Sequence, residues 1–165
     1  NKLLAQWVAE KLGLSGAALQ GYLRNQLAPG EFVQAIVVPR AASTLQLRAY
    51  KISKRHDSDI SAVCAAFAIE LDGDTIAHVR LAFGGMAATV QRATRTEAAL
   101  IGQAWSAATV QAAQTALAAD FTPLSDLRAS AGYRLQVAQN LLQRFWLETR
   151  ATNPLPVQAT SVWSL

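Results

Sequence analysis

The sequence holds one cysteine, one methionine and two histidines among 165 residues, and each scarcity closes off a class of chemistry. Cys64 cannot form an internal disulfide, and its place in an apolar alternating stretch reads as a buried, inert thiol. His56 and His78 fall on different segments without Cys/His spacing of the zinc type, so no metal site is expected. No GxSxG nucleophile elbow occurs. Gly84-Gly85 is followed by Met86-Ala87-Ala88, which lacks the third glycine and the helix start of a dinucleotide fingerprint. No apolar run approaches the roughly 20 residues of a membrane span, and no signal peptide opens the chain. A soluble, cytoplasmic protein is the expectation. The chain starts with Asn rather than Met, which reads as a fragment. Neither an internal repeat nor a low-complexity segment is present.

Charge is scarce as well. Only 16% of residues are charged against 52% hydrophobic, a balance that folds rather than stays disordered. The length fits one domain able to bury a core. A net charge of +4 suits an anionic ligand, but the Lys and Arg residues form no clustered face of the kind that binds nucleic acid.

What is present falls into strands first and helices second. Residues 1–21 carry Leu3, Leu4, Trp7, Val8 and Leu12 at helical spacing. The turn signal Ala28-Pro29-Gly30-Glu31 precedes an apolar run, Phe32 to Val38, that reads as a strand stopped by Pro39. A second strand runs from Leu45 to about Ser53. Ala62 to Leu71 alternates Val63, Ala65, Phe67, Ile69 and Leu71 against Cys64, Ala66, Ala68 and Glu70. Asp72-Gly73-Asp74 is a hairpin turn, and Thr75 to Phe83 returns with Val79, Leu81 and Phe83 on one side and His78 and Arg80 on the other. After Met86 the period becomes helical. Thr94-Arg95-Thr96-Glu97 fits a capping box, with Gly102 as the stop. Ser106 can cap a helix carrying Val110, Ala113 and Leu117 to Asp120. A long helix is expected from near Asp126 to about Thr149, its stripe formed by Leu135, Val137, Ala138, Leu141, Leu142, Phe145 and Trp146. Trp7, Trp105, Trp146 and Trp163 lie far apart and read as packing residues rather than a stacking platform.

This order predicts an α+β domain: a three- to four-stranded antiparallel sheet with the C-terminal helices on one face, plus an N-terminal helix. The stretch with most chemistry is Tyr50-Lys51-Ile52-Ser53-Lys54-Arg55-His56-Asp57-Ser58-Asp59-Ile60. In the alternation from Leu45, the residues Leu45, Leu47, Ala49 and Lys51 share a side, so Lys51 ends an apolar side where an ammonium needs a partner or ligand. The loop beyond it is either a solvated turn of weak mutual ion pairs or a binding loop at a strand mouth. Asp57 and Asp59 stand beside Lys54 and Arg55 and read as ion-paired rather than poised for acid–base work.

Several of these blocks, in this order, resemble the C-terminal part of the FAD domain of molybdenum hydroxylases. They are Tyr50-Lys51-Ile52-Ser53-Lys54-Arg55 with Asp59-Ile60, then Leu81-Ala82-Phe83-Gly84-Gly85-Met86-Ala87. Pro123-Leu124-Ser125-Asp126-Leu127-Arg128-Ala129-Ser130 follows, continued by Tyr133-Arg134-Leu135 and Asn140-Leu141-Leu142. The pattern is most similar to the small, flavin- and iron–sulfur-carrying subunit of bacterial xanthine dehydrogenase. The resemblance covers residues 22–165, taken as the FAD-domain module, and leaves residues 1–21 as a helical segment whose origin it does not place.

The resemblance implies an oxidoreductase of purine catabolism in which electrons pass from a molybdenum cofactor through iron–sulfur clusters to FAD and then NAD. It implies that Lys51 contacts FAD, that Arg24 stands where relatives often have a lysine near the flavin, and that Phe32 and Val33 lie near the isoalloxazine. It places Arg55 and Asp59 in a loop close to the flavin. It also implies partners: the remainder of the flavin/iron–sulfur subunit and a molybdenum-binding large subunit. The FAD phosphate-binding subdomain and the cluster cysteines are not in this sequence, so the flavin site is expected to be incomplete and the isolated chain inactive. A scaffold or interaction domain without flavin is the alternative.

Overall fold

The computed structural model describes residues 43–54, 60–156 and 159, all in a unit that begins at Ser43. The expected N-terminal helix and the strand over residues 32–38 lie outside them. Four strands form one antiparallel sheet in sequential order: β1 (Gln46–Ile52), β2 (Val63–Asp72), β3 (Thr75–Gly84) and the short β4 (Gln91–Arg92). Three helices follow, α1 (Thr94–Leu100), α2 (Ala107–Asp120) and α3 (Ala131–Thr149). The α+β expectation holds, with β4 as a strand that the sequence pattern did not show.

Alternation in β2 and β3 works as read. Val63, Ala65, Phe67 and Ile69, with Ile76, Val79, Leu81 and Phe83, are buried on one face. Gly73 turns the hairpin at φ +58°, a conformation in which a side chain would be strained, and a register shift between Glu70 and Leu71 separates the turn from the regular ladder. Phe67 is central. Its ring meets Tyr50 of β1 at 5.7 Å, Phe83 of β3 at 5.0 Å and Phe145 of α3 at 5.4 Å. Such tilted and edge contacts add about 0.5–1.5 kcal/mol each beyond area burial.

In β1 the expected face is reversed. Leu47, Ala49 and Lys51 are exposed, Leu47 at 57%, and the side turned to the helices carries Arg48, Tyr50 and Ile52. Polar groups point inward because α3 provides a buried carboxylate for them. The Tyr50 hydroxyl donates to Glu148 at 2.8 Å, Arg48 pairs with the same carboxylate at 3.4 Å, and Arg144 donates to it at 2.7 Å while stacking 5.1 Å from the Tyr50 ring. Burial, then the Glu148 hydrogen bond and negative charge, push the Tyr50 phenol above its ordinary range.

The capping-box expectation also fails. Thr94 lies inside α1, whose N-cap is Ala93 with no side-chain cap. Asp120, the last residue of α2, caps α1 instead, accepting from the Arg95 and Thr96 amides at 2.9 Å each. Glu97 is thereby released for another task. It is buried, and accepts the Leu81 amide at 2.7 Å and Arg92 Nε at 3.1 Å. With β4 only two residues long, Leu81 has a strand partner for its carbonyl, the Ala93 amide at 2.9 Å, and takes a carboxylate for its N–H. Ser106 caps α2 and Gly102, at φ +78°, follows α1, both as expected. The long helix starts at Ala131 with Ser130 as its cap, five residues later than the pattern indicated.

Trp105 and Trp146 pack where the α1–α2 connection meets α3. Trp105 donates to Thr149 at 3.0 Å, and Trp146 donates to the Trp105 carbonyl at 3.3 Å. No helix among the described residues is long and apolar enough to cross a membrane.

The two readings of α1's first turn predict opposite mutants. Glu97→Ala leaves the Leu81 amide without its acceptor and removes the carboxylate that Arg92 meets, and should cost about 2–3 kcal/mol, seen as a lower urea midpoint at unchanged slope. Thr94→Ala removes no cap and should stay within about 0.5 kcal/mol.

Candidate functional site

The end of the sheet at which β1 stops, β2 starts and β3 leaves gathers the residues of interest. Lys51 lies opposite Cys64, and Cys64 opposite Gly84, so these three form one row across the sheet. The next row is Ala49, Ala66 and Ala82. Both rows face away from Phe67 and α3, because residues paired across strands share a face. Lys51 is exposed and makes no ion pair with a described residue. Its ammonium therefore does not end a buried apolar side. It shares a face of the sheet with small residues: Cys64 and Gly84 in its own row, and Ala49, Ala66 and Ala82 in the next.

Beyond Lys51 the strand end is tied down by backbone and one arginine. The Ala62 amide donates to the Ile52 carbonyl at 2.8 Å. The Ala62 carbonyl accepts from Arg134 of α3, which also donates to the Gly85 carbonyl at 3.0 Å and to Asp126 at 2.6 Å. Gly85 has φ +83°, and a Cβ there would lie 2.3 Å from the Ala62 carbonyl oxygen. Only glycine lets the exit of β3 approach the entry of β2 this closely.

Asp126 belongs to a loop closed on itself. Its carboxylate accepts the Arg128 amide at 2.9 Å and the Ala129 amide at 3.1 Å, its own amide donates to the Ala129 carbonyl at 3.0 Å, and Ser125 Oγ accepts the Ala131 amide at 2.9 Å. Partial burial pushes the carboxyl upward. The Ala129 amide, the Arg134 guanidinium and the Arg128 amide outweigh it and hold the pKa down at about 2.

Of the residues expected at a ligand, Lys51 alone falls among those described; Arg24, Phe32, Val33, Arg55 and Asp59 lie outside them. Arg134 and Asp126 carry the junction: Arg134 lies in the long helix as expected, whereas Asp126 stands in the loop before it. One signal was available: Arg134 precedes Ala138, Leu141 and Leu142 by four, seven and eight positions, which puts an arginine on the buried stripe of α3.

A carboxyl with a lowered pKa adds stability above the ordinary carboxylate range and loses it as pH falls through the folded value. Acidifying from about pH 4 to about pH 2 should therefore lower Tm through Asp126. In Asp126→Asn that part of the slope should vanish, with a lower Tm at neutral pH, as followed by circular dichroism melts across the pH series.

Residues 48–149, which include β1 from its third residue, all three helices and the junction, match the family described as CO dehydrogenase flavoprotein C-terminal domain. The chain is similar to nicotinate hydroxylase of Emericella nidulans, at 35% identity over 77% of this chain and 10% of that protein. It is also similar to the carbon monoxide dehydrogenase medium chain of Hydrogenophaga pseudoflava, at 32% identity over 58% of this chain and 33% of the medium chain. Among solved structures, carbon monoxide dehydrogenase from Hydrogenophaga pseudoflava, in a form lacking the Mo-pyranopterin moiety of its molybdenum cofactor, superposes with a TM-score of 0.60 at 34% identity. That match covers 65% of this chain and 37% of the other. The chain thus spans a tenth of the fungal relative and about a third of the bacterial ones. On the family match and these likenesses, the chain belongs to the CO dehydrogenase flavoprotein C-terminal domains, the C-terminal part of the FAD domain of molybdenum hydroxylases.

Proposed function

We propose that this chain forms one wall of the FAD site of a xanthine dehydrogenase-like molybdenum hydroxylase and supports electron transfer from iron–sulfur clusters through FAD to NAD. The observation that carries this is exposed Lys51 in one row with Cys64 and Gly84, at a strand end fixed by Arg134. Those residues fit a flavin: the row holds small side chains, and the cation makes no ion pair with a described carboxylate. FAD, when bound, supplies the capacity to take up and pass on two electrons. Lys51 would supply a positive charge to the bound group, which would favour its reduced, anionic form.

Phe32 and Val33 are assigned to the apolar side of the ring, where they exclude water, and Arg24, Arg55 and Asp59 to its electrostatic surroundings. The phosphate-binding subdomain, the iron–sulfur clusters and the molybdenum cofactor belong to the remainder of the flavin/iron–sulfur subunit and to a large molybdenum-binding subunit. Likeness to parts of nicotinate hydroxylase, xanthine dehydrogenase and a CO dehydrogenase medium chain supports that division. Purine catabolism in the cytoplasm is the setting this reading assigns.

In the complete flavoprotein, Lys51→Met should reduce FAD occupancy and lower the flavin midpoint potential by about 20–30 mV. That corresponds to loss of ~1 kcal/mol of charge stabilisation over two electrons. Unchanged FAD content and potential would leave a scaffold domain that does not serve the flavin.

A further inference from the structure

We infer that Arg134 is a positioning residue for Lys51: it fixes the end of β1 from the opposite side of the sheet, through Ala62. The inference rests on the reading of Lys51 as flavin-facing and assigns that site a support that no flavin contact would reveal.

The connection can be followed bond by bond. Lys51 is the penultimate residue of β1, an edge strand among those described, and pairs with Cys64 of β2. Just beyond it, the Ala62 amide donates to the Ile52 carbonyl at 2.8 Å. The same peptide segment is gripped from its other side, because the Ala62 carbonyl accepts from Arg134. A guanidinium is a planar fork with five N–H groups, so one side chain can hold two carbonyls and a carboxylate at fixed angles, as an ammonium cannot. Here it spans Ala62 at the entry of β2, Gly85 just past β3 and Asp126 in the loop before α3. Gly85 makes the span possible, since any Cβ would collide with the Ala62 carbonyl.

Stability alone does not explain this arrangement. Arg134 is 4% exposed, and replacing a buried ion pair by well-packed apolar residues is often neutral or stabilising. The aromatic core around Phe67 already fastens α3 to the sheet. What the guanidinium adds is direction. It sets the mutual heights of β2 and β3 where they frame the row Lys51, Cys64 and Gly84.

The test uses the complete FAD-containing protein with Arg134→Met, Arg134→Lys and Asp126→Asn, alone and combined with Lys51→Met. Two readouts are taken: amide hydrogen exchange at Ala62 and Leu81, and the flavin midpoint potential. Arg134→Met should speed exchange of the Ala62 amide at least tenfold while the Leu81 amide, bonded to Glu97, stays unchanged. It should move the potential in the same direction as Lys51→Met, and the double variant should shift no further than Lys51→Met alone. Arg134→Lys should recover part of both effects. Asp126→Asn, which keeps the guanidinium, should show a smaller shift of the same sign and reports even where Arg134→Met does not fold. Unchanged Ala62 exchange, or potential shifts that add in the double variant, would overturn the inference. If Lys51→Met leaves the potential unmoved, the flavin reading fails, and exchange at Ala62 still decides whether Arg134 holds the strand end.

Discussion

Phe67 touches rings from β1, β3 and α3, and the architecture depends on keeping those three surfaces around it. Removing such apolar area from water is the main favourable term in folding, but it has no direction and tolerates sliding. Direction comes from charged groups buried at the perimeter of the aromatic centre. Glu148 holds Tyr50 and Arg48 of β1 onto α3, Glu97 closes the unpaired side of β3, and Arg134 joins the ends of β2 and β3 to α3. Glu148 and Glu97 meet backbone groups or cations. The two terminal nitrogens of Arg134 meet two carbonyls and a carboxylate while its buried Nε has no partner, so charge in such positions is tolerated through most of its polar atoms.

How much of this the chain announced depended on where partners lay. The alternation of β2 and β3 was readable because both strands are covered on one face by apolar residues alone. In β1 the same rule pointed the wrong way. The inward side carries Arg48 and Tyr50, which look solvent-bound until Glu148, 98 positions beyond Tyr50, is known to meet them. Local signals behaved similarly. Ser106 and Gly102 act within their own turns and were legible, whereas Thr94 and Glu97 have the spacing of a capping box without its bonding. The amides of that turn go to Asp120, 24 positions beyond Thr96, and the Glu97 carboxylate goes to the sheet. A two-residue strand such as β4 leaves no periodicity to detect.

The candidate site divides along the same line. Lys51 could be singled out from sequence as the one lysine at a strand end, but the side it faces could not, because that followed from the reversed face of β1. Arg134 and Asp126 stand in the quoted blocks, but their joint role was not legible, since an arginine and an acid near a helix start are ordinary surface features. Their meaning comes from Ala62 and Gly85, which supply carbonyls only after the hairpins have formed. Among the described residues, one face of the sheet carries Lys51 and rows of small residues, and the other is given to its own core.

The carboxylate that stands where a longer β4 would have continued along β3 has a further effect. A sheet margin with vacant N–H and C=O groups invites other polypeptides to join by backbone pairing, and proteins blunt such margins with charge. Glu97 and Arg92 occupy that margin at Leu81, so an incoming chain would have to displace an ion pair before forming its first ladder bond. Among the described strands, β1 is left as the side through which this sheet can be extended.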